Sequence, residues 1–226
     1  MGKIIVIEGT DSSGKETQTE ELYKKLKIEG YNVRKISFPN YKSPACEPVK
    51  MYLAGEFGET ALDINPYPIS TMFAIDRYAS YKKDWEDFYN NGGIIITDRY
   101  VQSNMIHQAS KIESENKKNE FIKWLEDLEF DKIGIPRADI VIFINMPLKF
   151  SNELMKKRNN KITGKSEKDI HEKDDIYMKK SYDNACEISK IRGWKEIKCE
   201  KENKLKSIEE ISNNIYTVVK SNVFGG

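Results

Sequence analysis

An apolar run near the start of the chain passes directly into a glycine-bearing loop, and this junction restricts the possible folds more than any other feature. Residues 3–7 are rich in Ile and Val, which favours a buried strand. The residues after Glu8 are Gly9-Thr10-Asp11-Ser12-Ser13-Gly14-Lys15-Glu16-Thr17, and a helix-forming segment follows. Helix N-termini bind anions, and the spacing G-x-x-x-x-G-K is typical of loops that hold a triphosphate. We therefore expect Gly9 and residues 12–17 to bind phosphates, with Lys15 reaching the β and γ groups.

One position of this loop departs from the motif. The strict motif has Ser or Thr after the Lys, because that hydroxyl ligates Mg²⁺, and this chain has Glu16 there. A carboxylate is a hard oxygen ligand that suits Mg²⁺, although its charge repels phosphates. We expect Glu16 to help hold Mg²⁺ and Thr17 to contact phosphate.

The rest of the chain alternates β-branched runs with longer amphipathic stretches. The runs predict strands at 3–7, 32–37, 94–97, 140–144 and 194–199. The longer stretches predict helices at 15–29, 69–89, 115–129, 150–158, 170–191 and 207–221. Three strands are nearly continuous in Ile and Val, as expected for parallel strands covered on both faces. The pattern predicts an α/β fold, a three-layer, doubly wound, parallel five-stranded sheet, in a single domain over residues 1–226.

Charge, cysteine and histidine usage exclude several classes of protein. Lys and Arg total 37 against 36 Asp and Glu, so a net charge of +1 provides no long-range attraction for nucleic acid or anionic lipid. The 3 cysteines contain no C-x-x-C pair, which argues against a disulfide framework or a zinc site. His107 and His171 have no partner at zinc-ligand spacing, so we expect them to be structural or exposed. Since Glu8 interrupts the first apolar run, we expect a cytoplasmic protein without a membrane span.

A second polar cluster follows the third predicted strand. Asp98, Arg99 and Tyr100 come at its carboxyl end, where open α/β sheets bind their ligands. An acid at this place can hold Mg²⁺ or its waters, and an arginine can bridge phosphates. A structural ion pair is the alternative for Asp98 and Arg99.

Aromatic and amide side chains elsewhere could bind a base. Phe73 and Arg77 are four residues apart on a predicted helix, so they share a face on which a ring could stack and a guanidinium could donate. Ser103, Asn104 and Gln108 are polar groups able to pair with a pyrimidine edge. Taken alone, Phe73 is more often a core residue and Arg77 more often an ion-pair partner.

Together these motifs resemble the thymidylate kinase family, and the resemblance spans nearly the whole chain. It rests on the phosphate loop with Asp11, on Phe38-Pro39, on the stretch from Phe73 to Arg77, on Asp98-Arg99-Tyr100 and on residues 103–108. The resemblance implies Mg²⁺-dependent transfer of the γ-phosphoryl group of ATP to dTMP, giving dTDP and ADP for dTTP biosynthesis. It also implies a homodimer packed through helices, with residues 69–89 as a candidate face.

The resemblance also implies roles for individual residues. Asp11 would contact the 3′-hydroxyl of the acceptor, Phe73 would stack on thymine and Gln108 would contact its N3. Arg77 would bond O4 and the monophosphate, and Arg99 would span the donor and acceptor phosphates. The other expected dTMP contacts are Phe38, Pro39, Tyr41, Tyr100 and Ser103.

Two stretches depart from the family pattern. The loop from Phe38 to Lys42 lacks the arginine that grips the acceptor phosphate, so Tyr41 or Lys42 must replace it. In the predicted lid, at about 158–170, Lys161 and Lys165 stand where many bacterial members have arginines. The expected catalytic residues are Lys15, Asp98, Arg99 and Arg158, which lies just upstream of the lid lysines.

The residues by themselves leave other functions open. Another nucleoside monophosphate kinase is possible, because the methyl group that separates thymine from uracil is worth only about 1–3 kcal/mol in a pocket. A deoxynucleoside kinase would need a general base beside the 5′-hydroxyl of its acceptor. A non-catalytic nucleotide-binding switch is less favoured, although Glu16 would be consistent with lost catalysis. The chain has no Asn-Lys-x-Asp element of the kind with which GTPases read their base.

Overall fold

A parallel five-stranded sheet forms the centre of the fold. The structure, a computed structural model, describes residues 1–156, 170–171 and 174–225. The strands are β1 (Lys3–Glu8), β2 (Val33–Ser37), β3 (Ile94–Asp98), β4 (Ile140–Asn145) and β5 (Lys195–Lys198). Their order across the sheet is β2-β3-β1-β4-β5, and every pairing is parallel. The predicted α/β fold class is confirmed.

Helices surround the sheet, and one small hairpin lies near its β5 edge. The helices are α1 (Lys15–Ile28), α2 (Glu47–Ala54), α3 (Pro66–Ser80), α4 (Glu86–Asn90), α5 (Val101–His107), α6 (Glu115–Glu126), α7 (Leu148–Met155), α8 (Asp175–Ile191) and α9 (Ile208–Val219). The hairpin consists of β6 (Glu200–Lys201) and β7 (Lys204–Leu205). The prediction did not include α2, α5 or the hairpin, because these elements are short and carry no strong periodic signal.

Alternation along the strands divides the main core into two layers. Ile4 and Val6 of β1 lie in one apolar cluster, which also contains side chains from α5, α6 and α8. Ile5 and Ile7 lie in the opposite cluster, with side chains from α1 and α9. Successive side chains of a strand point to opposite faces, so an unbroken apolar run serves both layers.

The predicted helix 69–89 has a more complex structure. It begins earlier, at Pro66, because Asn65 caps it by accepting a hydrogen bond from the Tyr67 N–H at 3.0 Å. A π-helical turn at Tyr81–Trp85 then joins α3 to α4. The predicted helix 170–191 begins later, at Asp175, where the carboxylate of Asp174 accepts from the Tyr177 N–H at 2.9 Å.

The pairing of β1 with β3 brings two predicted site segments together. Ile7 is the register partner of Asp98, and the Arg99 N–H donates to the Ile7 carbonyl at 3.1 Å. The Phe38 N–H donates to the Asp98 carbonyl at 3.0 Å, so the end of β2 joins the same edge. The loops after β1, β2 and β3 therefore share one end of the sheet, as parallel topology requires. No helix in the described ranges is long and apolar enough to span a bilayer.

Candidate active site

The phosphate loop connects the end of β1 to the start of α1. A side chain at Gly9 would place its Cβ 2.6 Å from Ser13 Oγ and 2.9 Å from the Ile144 carbonyl, so the loop can close only on glycine. Gly14 has a φ of 84° and immediately precedes the helix. Lys15 Nζ folds back over the loop and donates to the Thr10 carbonyl at 2.5 Å. This geometry aims the N-terminus of α1 and the Lys15 ammonium at one cavity.

That cavity, which we call the donor cavity, has a volume of about 350 Å³. Residues 12–17 line one side of it, and Asp98 and Arg99 line it from the end of β3. Another part of the lining is mainly apolar and is formed by Met146, Leu154, Leu205, Lys206, Ile208 and Ile211. A triphosphate on the loop would therefore have an apolar surface beside it for a flat base. The sequence analysis did not predict this wall. Its residues come from separate elements, including α7, the hairpin and α9, and they share no motif.

Two carboxylates of the donor cavity fit a hard cation. Oδ1 of Asp98 is buried without a hydrogen-bond partner in the described part of the chain. Glu16 lines the same cavity from the first turn of α1. Carboxylate oxygens are the ligands that Mg²⁺ prefers, so the predicted pair Glu16 and Asp98 is chemically suited to it.

A second cavity, the acceptor cavity, adjoins the first and has a volume of about 60 Å³. The two cavities share Asp11, Pro39, Tyr41 and Arg99 as lining residues. Pro39 and Tyr41 are held there because the intervening Asn40 N–H donates to the Asp76 carboxylate on α3 at 2.8 Å. A ligand in one cavity would therefore meet a ligand in the other beside Arg99.

The lining of the acceptor cavity also includes a ring and amides. Phe73 lines it from α3, and Asn104 and Gln108 line it from α5 and the residue after it. Both amide atoms of Gln108 are buried, and neither has a hydrogen-bond partner among the residues that the structure describes. A buried amide without partners costs free energy, so this donor and acceptor pair is suited to the polar edge of a ligand.

Arg99 connects the two cavities. Its backbone has a φ of 69°, a left-handed value that is uncommon for a residue with a side chain. Its guanidinium donates to Asp11 Oδ1 at 2.6 Å and to Ser103 Oγ at 3.3 Å. Ser103 in turn donates to the buried carboxylate of Glu8, which also accepts from the Tyr100 N–H at 2.9 Å. Glu8 was not predicted as a site residue, because in the sequence it only interrupts the first apolar run.

Burial and charge set the protonation of these groups. Burial lowers the pKa of Lys15 to about 7, and the nearby Arg99 acts in the same direction. Burial alone would raise the pKa of Asp11, but Arg99 and the other positive charges hold it well below its usual range. Burial raises the pKa of Glu8, although Arg99 opposes the shift. Asp11 is therefore a carboxylate at neutral pH, and an arriving anion would favour the charged form of Lys15.

Both histidines lie in the acceptor cavity, which the sequence did not indicate. His107 and His171 are buried and stacked, with ring centroids 5.7 Å apart and an interplanar angle of 14°. One oxygen of Asp11 and one ring nitrogen of each histidine lie within 4.8 Å of one another. We expected the histidines to be structural or exposed, but both line the acceptor cavity. Their proximity was not visible in the sequence, because they are 64 positions apart.

Comparison with known proteins gives the family. A sequence model described as thymidylate kinase matches residues 7–215 of the chain. The chain belongs to the thymidylate kinase family. It is 28% identical over 192 residues to the thymidylate kinase of Mycobacterium tuberculosis, which covers 84% of this chain and 87% of that protein. It is 28% identical over 229 residues to a probable thymidylate kinase of Thermococcus gammatolerans, which covers 100% of both.

A solved thymidylate kinase structure also matches the fold. The enzyme from Candida albicans superposes with a TM-score of 0.72 at 22% identity, covering 98% of this chain and 92% of that one. The predicted family, fold class, phosphotransferase class and activity toward dTMP are thus confirmed.

Most of the predicted site residues of this thymidylate kinase family member lie around the two cavities, but three are placed differently. Phe38 is buried beside the donor cavity, whereas we expected it to contact dTMP. Tyr100 is a core residue that lines neither cavity, since its ring packs near Phe38 and its hydroxyl donates to the Pro136 carbonyl at 2.9 Å. The third is Arg77. The predicted Arg158, Lys161 and Lys165 lie outside the described residues.

Arg77 is in the core and not in the acceptor cavity. Its guanidinium makes two hydrogen bonds to the Glu129 carboxylate, at 2.6 and 2.5 Å, and both side chains are essentially inaccessible to solvent. Its third nitrogen, Nη1, donates to the Tyr100 carbonyl at 3.4 Å, so the guanidinium is held in the core and does not line the cavity where the base contact was predicted. Sequence reasoning could not foresee the pair, since its members are 52 positions apart.

We predict that removing one partner of the Arg77–Glu129 pair destabilises the fold more than removing both partners. Arg77→Met should lower the free energy of unfolding by about 3–5 kcal/mol, because it leaves a buried carboxylate unpaired. The double variant Arg77→Met with Glu129→Met should be more stable than either single variant. Denaturant unfolding of all four proteins measures this coupling. Strictly additive losses would contradict the pairing.

Proposed function

We propose that the two cavities bind ATP and dTMP end to end, and that the γ-phosphoryl group passes directly to a phosphate oxygen of dTMP, giving dTDP and ADP. The observation that carries this proposal is the junction at Arg99, where a phosphate loop of G-x-x-x-x-G-K type meets a second cavity. That cavity has an aromatic ring and a buried amide without a hydrogen-bond partner among the described residues. A base, a sugar and a phosphate arranged in that order would place the acceptor phosphate at Arg99.

Catalysis would depend on positioning and charge neutralisation. Phosphoryl transfer requires little covalent work from the protein, so preformed cations and N–H groups aimed at the phosphates supply most of the acceleration. Lys15 and the loop amides would hold the triphosphate, while Arg99 would span donor and acceptor. A phosphate monoester is largely ionised at neutral pH, so the acceptor oxygen can attack without a protein base. In the lid, outside the described residues, Arg158, Lys161 or Lys165 would supply a further cation.

The acceptor cavity would bind dTMP through ring and amide contacts. Phe73 would stack on thymine, and Gln108 would pair with its N3 edge. Tyr41 would meet the acceptor phosphate. This choice is supported by its position in the lining of both cavities, whereas Lys42 is exposed and lines neither. Ser103 lines the acceptor cavity but directs its hydroxyl at Glu8, so we assign it the positioning of Arg99 as well.

The metal would lie between Glu16, Asp98 and the triphosphate. When bound there, Mg²⁺ neutralises part of the negative charge of the donor phosphates. Asp98 brings an oxygen that has no partner in the described part of the chain, and Glu16 replaces the usual hydroxyl of the motif. Both carboxylates would hold the ion directly or through water.

The test of this function is ADP release in a coupled assay with Mg²⁺ and ATP. We expect turnover with dTMP, weaker turnover with dUMP, and little with dCMP, AMP or thymidine. Arg99→Ala should lower kcat at least ~100-fold, because it removes the cation shared by both phosphates. Phosphorylation of thymidine in preference to dTMP would instead identify a nucleoside kinase. ATP binding without acceptor-dependent ADP release would identify a switch.

A second prediction concerns Glu16. Glu16→Thr restores the hydroxyl of the strict motif and removes one charge, so the Mg²⁺ concentration for half-maximal activity should change severalfold. Glu16→Gln is the matched control, because it keeps the length and removes only the charge. A Mg²⁺ dependence and turnover identical in all three proteins would exclude Glu16 from metal binding.

We also propose that the chain is a single cytoplasmic domain and that it forms a homodimer through α3. Ile75 and Tyr78 are three positions apart on this helix and are 48% and 44% exposed, which leaves an apolar patch for a second copy.

Light scattering should give twice the chain mass of 26.2 kDa. Ile75→Glu should give the monomer, because it would bury a charge in the interface. Ile191→Glu replaces an isoleucine that is 71% exposed at the end of α8, so it should leave the dimer intact. A monomeric wild-type protein would refute the proposal.

A further inference from the structure

We infer that a third cavity binds a nucleotide in addition to the donor and the acceptor, and that this nucleotide acts on acceptor binding through α5. The third cavity is lined by Gln102 and Met105 of α5, by residues 137–141 and by residues 192–195, with Glu126, Phe130 and Asn222 beside them. Its volume is about 360 Å³, close to the 350 Å³ of the donor cavity. Among the described residues, none lines both the third cavity and a substrate cavity, so the inference goes beyond the proposed function.

Two aromatic rings contribute to the apolar lining of the third cavity. Phe130 comes from the π-helical turn Asp127–Lys132, and Trp194 comes directly before β5. Both rings pack against the core but remain partly accessible. Met105 of α5 and Val141 of β4 complete this apolar part. Accessible rings beside aliphatic side chains suit a flat aromatic ligand, which can stack on them.

One polar group of the third cavity is buried and without a partner. Gln102 lies in the first turn of α5 and is only 7% exposed. Its Oε1 has no hydrogen-bond partner in the described part of the chain. A buried carbonyl oxygen that accepts no hydrogen bond costs free energy. This oxygen can only accept, so it suits the N–H edge of a base.

The lining of the third cavity also carries an excess of positive charge. Arg137, Arg192 and Lys195 line it together with two carboxylates, Glu126 and Asp139. The carboxylates are already engaged, because Arg192 donates to Glu126 at 2.9 and 3.3 Å and two donors near the chain start lie 2.8 Å from Asp139. Lys195 is exposed and has no ion pair with any residue that the structure describes. Such cations suit a phosphate group.

A nucleotide combines the three features that this lining matches. Its base provides a flat ring for Phe130 and Trp194 and an N–H group for the oxygen of Gln102. Its phosphate provides the negative charge for Lys195 and the neighbouring arginines. Inorganic phosphate lacks the ring, and a nucleoside lacks the charge, so each would use only part of the lining.

Helix α5 connects the third cavity to the acceptor cavity. Gln102 and Met105 are three positions apart and share the face that lines the third cavity. Ser103 and Asn104 line the acceptor cavity from the same helix, which has only seven residues. A ligand that draws on Gln102 would therefore shift groups that face the acceptor. Coupling of this kind is reciprocal, so dTMP would change the affinity of the third cavity by the same factor.

Binding is tested by calorimetry on the protein saturated with dTMP and a non-hydrolysable ATP analogue, which fill both substrate cavities. AMP, GMP, CMP and UMP are then titrated. We expect one further nucleotide per chain for at least one of the four, and weaker binding of the corresponding nucleoside and of inorganic phosphate. If none of the four binds at up to about 1 mM, or if each only displaces a substrate, the inference is overturned.

Two variants locate the bound nucleotide. Gln102→Leu removes the buried acceptor and should weaken binding about 3- to 10-fold, the range of one neutral hydrogen bond. Lys195→Met removes an exposed cation and should weaken binding about 2- to 5-fold. The matched control is Lys198→Met, because Lys198 is exposed on the same strand and does not line the cavity.

Unchanged affinity in both variants would place the nucleotide elsewhere and overturn the inference. Lys195 is exposed, so its variant decides the matter even if Gln102→Leu does not fold. Calorimetry requires no turnover, so this result is independent of whether the proposed function holds.

The coupling is tested through the KM for dTMP at a saturating concentration of the nucleotide that binds. We expect KM to change about 5-fold or more, the lower end of typical coupling between sites. Without added nucleotide, Lys195→Met should have the KM and kcat of the wild-type protein. An unchanged KM would overturn the coupling. A rise in KM that is equally large in Gln102→Leu and Lys195→Met would mean competition in the acceptor cavity, and it would also overturn the coupling.

Discussion

The ion pair between Arg99 and Asp11 is the interaction on which the site depends. The left-handed backbone of Arg99 costs about 1–3 kcal/mol, and the structure retains it because it turns the guanidinium back across the end of β1. There the side chain contacts Asp11, Ser103 and His107. Ser103 in turn donates a hydrogen bond to the Glu8 carboxylate. One cation thereby joins the phosphate loop to the acceptor cavity.

The charges of this site balance locally. The chain has a net charge of only +1, so it does not attract nucleotides over a long distance. Instead, Lys15 and the partly buried Arg99 lie near the carboxylates of Glu8, Asp11 and Asp98, and these negative charges act to raise the pKa of both cations. In a buried site such interactions are stronger than at the surface.

Long-range contacts changed the interpretation of several residues. Arg77 and Phe73 share a helix, as predicted, but only Phe73 lines the acceptor cavity. Glu129 lies just beyond α6, in the π-helical turn Asp127–Lys132, and pairs with Arg77. The histidines changed in the opposite direction, because both were expected to be structural or exposed and both line the acceptor cavity. Each change depends on a partner that is remote in sequence, and local spacing carries no information about such partners.

The sequence by itself determined the five strands, the phosphate loop and the end of the sheet at which the site lies. These features follow from local patterns, because apolar runs specify buried parallel strands and the G-x-x-x-x-G-K spacing specifies a loop and a helix N-terminus. Only the tertiary structure decided which polar side chains enter the cavities. The packing of α2, α3 and α8 brings Tyr52, Phe73 and Tyr177 beside the histidines, and β7 and α9 build the apolar wall of the donor cavity. Such contacts depend on how distant elements pack, which no local pattern encodes.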